Sequence, residues 1–103
     1  MSNNPLLRGL KATHPGELLR EDVLPALSKP KTEIAHLLGI SRQTLYEILD
    51  EKQPITPAMA LRFGKLCGNG PDLWMNMQIK YDLSIAAGKL AKEIKKIPTL
   101  EVA

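Results

Sequence analysis

The side chains best equipped for chemistry stand together in one string, Ser41-Arg42-Gln43-Thr44, with Tyr46 and Glu47 just beyond. A guanidinium can grip guanine with two hydrogen bonds and a carboxamide can do the same with adenine, so Arg42 and Gln43 are the main candidates to read base edges. Thr44 and Tyr46 suit a thymine methyl or a phosphate. Glu47 is open to three roles: accepting from cytosine, orienting Arg42 or Gln43, or excluding wrong sequences. Ser41 and the free N–H groups of a helical first turn can hold a phosphate, which sets register without reading sequence. Lys31, Thr32 and Lys52 are further phosphate candidates. This is binding chemistry, and duplex DNA is the partner it fits.

Bond-breaking chemistry has little to work with. The two histidines, His14 and His36, have no carboxylate or thiol at ligand or triad spacing, and no glycine loop is built to cradle phosphates. The single cysteine, Cys67, excludes an internal disulfide and sits in an apolar helical stretch, where a small hydrophobe is the simplest reading. No catalytic residue, metal site or cofactor is expected.

The candidate base readers need a scaffold, and the segment from Lys31 to Asp50 has the pattern of a helix-turn-helix. Ile34 and Leu38 lie four apart on a helix spanning about Lys31 to Leu38, and Leu45 and Ile48 lie three apart on a second, about Arg42 to Leu49. Helices crossing at about 90–120° leave no room for a branched side chain at the contact, which explains Ala35. Gly39 supplies the positive φ that ends the first helix, Ile40 points back to the core, and Ser41 caps the second helix.

Around this pair, His14-Pro15-Gly16-Glu17 starts a helix running to about Leu24, with His14 at the cap and Leu18, Leu19 and Val23 facing inward. Pro25 and Pro30 bracket the loop that follows. Thr56-Pro57 opens a helix that passes through Ala60, Leu61 and Leu66 to Cys67, before Gly68-Asn69-Gly70 ends it. Pro71 opens another, with Trp74, Met77 and Tyr81 at helical spacing. The result is an all-α, five-helix domain over residues 13–83, preceded by a segment 1–12. An extended C-terminal helix and tail over 84–103 show only a faint alternation at Leu100 and Val102.

In that last stretch Leu83, Ala87, Leu90, Ile94 and Ile97 recur at steps of four and three. Such a seam either packs within the domain or closes a homodimer, and its distance from the helix-turn-helix favours the dimer. Lys89, Lys92, Lys95 and Lys96 flank it, as a solvated face or as phosphate contacts.

A net charge of +3 favours a polyanion without demanding one. Met-Ser-Asn-Asn-Pro shows no charged-then-apolar signal pattern, and no run approaches the roughly eighteen apolar residues of a membrane span, so a cytoplasmic protein with no membrane partner is expected.

Over about residues 13–83 the chain resembles the HigA-type antitoxins, a branch of the XRE-like helix-turn-helix regulators. The resemblance rests on His14-Pro15-Gly16-Glu17, Ser41-Arg42-Gln43-Thr44, Ile55-Thr56, Ala60-Leu61-Arg62, Trp74-Met75-Asn76-Met77-Gln78 and Tyr81-Asp82-Leu83. It implies a λ-repressor-like domain and a dimeric autorepressor that binds both its own operator and a small basic ribonuclease toxin. The other readings are a standalone or phage-type repressor and a purely protein-binding module.

Two departures stand out. Members of this family commonly end the recognition helix with Asn-Gly-Lys, where this chain has Asp50-Glu51-Lys52. A left-handed glutamate costs about 1–2 kcal/mol, so a reshaped loop is expected, with Lys52 displaced from its usual phosphate. Pro30 replaces the usual polar cap of the second helix.

Overall fold

The computed structural model describes residues 12–102, so most of the expected segment 1–12 lies outside the described residues. Those residues form six helices and no strand, including none at Leu100 and Val102. The first, α1, is one continuous run made of an α-helical turn Pro15–Leu18, a π-helical turn Leu19–Val23 and an α-helical turn Leu24–Leu27. It is followed by α2 (Lys31–Leu38), α3 (Arg42–Leu49), α4 (Pro57–Cys67), α5 (Asp72–Lys89) and α6 (Ala91–Lys95).

Helix α1 runs further than the prolines suggest. Pro25 lies inside it, and the chain turns only at Ser28, whose φ of 56° is left-handed. A proline has no N–H to give and crowds the carbonyl four residues back. The π-helical turn just before it, in which Leu24 N–H reaches back five residues to the Leu19 carbonyl, widens the helix where that crowding would fall. The connection to α2 is therefore only Ser28, Lys29 and Pro30.

The helix-turn-helix stands where the spacing put it. Ile34, Ala35 and Leu38 of α2 and Leu45, Ile48 and Leu49 of α3 are buried, and Gly39 between them has φ 72°. They join Leu19, Leu24, Ile55, Ala60, Phe63 and Trp74 in one core. The Trp74 indole donates to Asn69 Oδ1 at 3.2 Å, so the largest core side chain has its polar atom satisfied. Leu18, Val23, Ile40 and Cys67 are half-buried against this core. Burial pushes the Cys67 thiol above its ordinary pKa, in keeping with a small hydrophobe.

The last helix is not the single extended rod that the seam suggests. It breaks at Leu90, with φ −106° and ψ 11°, and restarts as the short α6. Gly88, a weak helix former with nothing near the position of a Cβ, loosens the turn just before the break. Every residue from 87 to 102 is exposed. No helix of the described residues is long and apolar enough to cross a membrane.

Candidate nucleic-acid interface

Helix α3 sorts its side chains by face. Leu45, Ile48 and Leu49 are at most 2% exposed, while Arg42, Gln43 and Tyr46 are exposed on the opposite side and Thr44 and Glu47 are half-buried at its edge. Ser41 caps the helix as expected: its Oγ accepts from Thr44 N–H at 3.0 Å and donates to Thr44 Oγ1 at 2.9 Å. The Ser41 hydroxyl proton is thus spent on the cap, which leaves the Thr44 O–H and methyl and the remaining first-turn N–H groups to face a partner.

Lys31, at the start of α2, lies with Nζ 5.8 Å from the centre of the Tyr46 ring, a cation–π contact that joins the first positive charge of α2 to the exposed face of α3. Thr32 is exposed beside it. Pro30 offers no side-chain cap, as its residue type requires. Ala35 fills the crossing, and Arg62 of α4 secures the turn by donating from Nη1 to the Leu38 carbonyl at 2.6 Å.

The end of α3 corrects one expectation. Glu51 keeps the left-handed conformation, with φ 62°, despite its side chain. Its N–H donates to the Ile48 carbonyl at 3.0 Å and Lys52 N–H donates to the Glu47 carbonyl at 2.8 Å, so the loop closes as a glycine would close it and Lys52 emerges exposed next to the helix end. Arg20 reaches this turn. From α1 its Nη1 donates to the Leu49 carbonyl at 2.6 Å, both Nη1 and Nη2 lie 3.4 Å from Glu51 Oε2, and Nε pairs with Glu21 Oε2 at 2.8 Å.

Two more residues hold this region. Gln78, only 4% exposed on α5, accepts from Ile55 N–H at 2.6 Å and donates to Asp82 Oδ1 at 3.0 Å, tying the loop after α3 to the long helix. His14 caps α1 by accepting Gly16 N–H on Nδ1 at 2.9 Å, and its ring meets Tyr81 edge to face, centroids 4.8 Å apart. Burial pushes the His14 pKa down, against the opposing pull of the Glu51 and Asp82 carboxylates. A Cβ on Gly16 would collide with the Ile48 carbonyl, so α1 approaches α3 closely enough for Arg20 to reach it.

Arg20, Arg62 and Gln78 were not legible as functional positions. Gln78 carries a faint signal, a carboxamide in register with Trp74 and Tyr81, and Arg62 falls in a string that carries the resemblance without a role of its own, whereas nothing adjacent in sequence marks Arg20. Toward the C-terminal end, Leu83, Leu90, Ile94 and Ile97 are 46–64% exposed and Ala87 is exposed too, joined by Ile79 at 49%; Lys89, Lys92, Lys95 and Lys96 are also exposed. Among the described residues no cluster of three or more histidine, cysteine or acidic side chains could hold a metal.

No family model matches the chain. Over 77 residues it is 38% identical to virulence-associated protein I of Dichelobacter nodosus, covering 75% of this chain and 71% of that protein. Its fold superposes on the antitoxin HigA of Pseudomonas aeruginosa, solved with the higBA promoter, with a TM-score of 0.82 and 32% identity over 88% of this chain and 100% of that one. The antitoxin GraA in complex with its operator is similarly alike, with a TM-score of 0.82 and 32% identity over 92% and 96% of the two chains. With this identity carried over the whole of a HigA chain, on the same arrangement of helices, the protein belongs to the HigA-type antitoxin family of XRE-like helix-turn-helix regulators.

Proposed function

We propose that this chain is the antitoxin of a type II toxin–antitoxin pair: a dimeric autorepressor that reads its own operator through α3 and neutralises a small basic ribonuclease toxin. The observation that carries the DNA half is the exposed face of α3, where Arg42, Gln43 and Tyr46 stand free of the core while Ser41 and Lys31 sit at its phosphate-side edge. The relatives solved with promoter or operator DNA support the same reading. Arg42 and Gln43 read bases; Thr44, through its methyl, and Tyr46 contact a thymine methyl or phosphate; Glu47 screens neighbouring bases; and Ser41, Lys31, Thr32 and Lys52 fix the register.

Dimerisation is supported by the exposed seam Leu83, Ala87, Leu90, Ile94 and Ile97, which a second copy would cover. A two-fold dimer reads an inverted repeat with half-sites about 34–36 Å apart. Toxin neutralisation is supported by family membership alone.

One experiment separates the two activities. In a mobility-shift assay on the promoter of its own operon, Arg42→Ala should lose roughly 1–3 kcal/mol of affinity and relax preference at one base pair. Arg42→Ala combined with Gln43→Ala should abolish the shift while still relieving the growth arrest caused by the neighbouring small gene product. A wild-type protein that shifts the promoter but gives no relief is a standalone repressor. One that relieves arrest without a shift is a protein-binding module.

A further inference from the structure

The helix that would read DNA ends in a conformation its own sequence disfavours. Glu51 has φ 62°, a region that side chains with a Cβ rarely occupy, and the residue after it is Lys52, the only lysine or arginine between Arg42 and Arg62. If Glu51 relaxed to negative φ, the N–H bond from Lys52 back to the Glu47 carbonyl would break and Lys52 would swing away from the helix end. Among the described residues, Arg20 reaches this turn from another helix. It donates to the Leu49 carbonyl at 2.6 Å, a charge-assisted bond to a helix end that lacks intrahelical partners, and it lies 3.4 Å from the Glu51 carboxylate. The guanidinium belongs to the π-helical turn of α1, where Gly16 has already brought α1 against the Ile48 carbonyl.

We propose that Arg20 is a positioning residue of the DNA interface, clamping Glu51 in the left-handed conformation so that Lys52 is presented to a phosphate. This rests on the DNA-binding reading given above. The clamp replaces the freedom a glycine would supply at position 51: Arg20 and Glu51 form a compensating pair, and neither needs to touch the duplex. Arg20 is also held by Glu21, which keeps it on the protein.

The test is a cycle of variants of the full chain, Arg20→Met, Glu51→Gly, Lys52→Ala and their pairs, measured for operator affinity across a range of salt concentrations. Circular dichroism melting serves as the folding control. Arg20→Met should weaken operator binding about tenfold, the population shift that left-handed strain at a non-glycine residue produces. It should also lower the salt slope by about 0.9, the share of one phosphate contact. Lys52→Ala should show the same change in slope, and adding Arg20→Met to it should cost nothing more. Glycine adopts φ 62° unaided, so in the Glu51→Gly background Arg20→Met should change affinity less than about twofold. The clamp is overturned if Arg20→Met leaves the slope unchanged, if it loses the same factor with glycine at position 51, or if it only lowers the melting temperature. Additive losses with Lys52→Ala would mean that Arg20 meets a phosphate itself, which also overturns it. A wild-type protein that does not bind the operator at all would overturn the DNA reading and the clamp together.

Discussion

His14 shows how one residue can tie stability to pH. Its Nδ1 must be unprotonated to accept the Gly16 N–H, and burial holds the imidazole pKa below its ordinary 6.5. Above that value the folded and unfolded chains both carry a neutral ring, and the contribution of the cap is complete. As pH falls through 6.5 the unfolded chain takes up its proton first, so stability declines, and the decline stops only below the lower folded pKa. Asparagine caps helices well and does not titrate there. His14→Asn should therefore lose less melting temperature than wild type between about pH 7.5 and about pH 5. Equal losses in thermal melts of the two proteins would remove His14 from the acid-sensitive groups.

At the scale of elements, the crossing of α2 and α3 sets where the reading face points. Ala35 is 1% exposed at that crossing, with Ile34, Leu38 and Leu45 packed in the same core and Arg62 pinning the turn. Ala35→Leu would force a larger side chain into a contact with no slack, at about 1–3 kcal/mol of stability. Urea denaturation should show the midpoint falling while the slope stays constant. At a temperature where the variant is still folded, operator binding should be largely kept. A variant as stable as wild type that no longer binds DNA would place Ala35 in the interface instead. The π-helical turn of α1 belongs to the same scale, because it lets Pro25 sit inside a helix and carries Arg20 toward the end of α3.

For the whole molecule, the break at Leu90 matters most. It divides the seam between α5 and α6, so a dimer must be closed by two helical pieces rather than by one straight coiled coil. Leu90, 46% exposed at the break, lies midway along the seam. Leu90→Asp should shift sedimentation from dimer to monomer and weaken operator affinity in parallel, since a half-site alone recovers only part of the binding energy. A wild-type monomer at concentrations that saturate the operator would exclude the dimer. An intact dimer in the variant would move the contact to another face.

The residues whose role depends on near neighbours could be read from the chain alone. Helical spacing of Ile34, Leu38, Leu45 and Ile48, the positive φ at Gly39 and the caps at Ser41 and Thr56 are local physics, and they were enough to place α2, α3 and α4 and the face bearing Arg42 and Gln43. What depended on distant partners was hidden. Proline at 25 reads as a stop until the preceding turn is seen to be wide, and glutamate at 51 reads as a reshaped loop until Arg20, far earlier in the chain, is seen to reach it. Gln78 looks like a solvent-facing carboxamide of α5 until the Ile55 amide meets it. The reason is physical: periodicity and capping act within a turn or two of helix, whereas strain at one residue can be offset by a side chain anywhere the fold brings close, and only the tertiary structure decides which one that is.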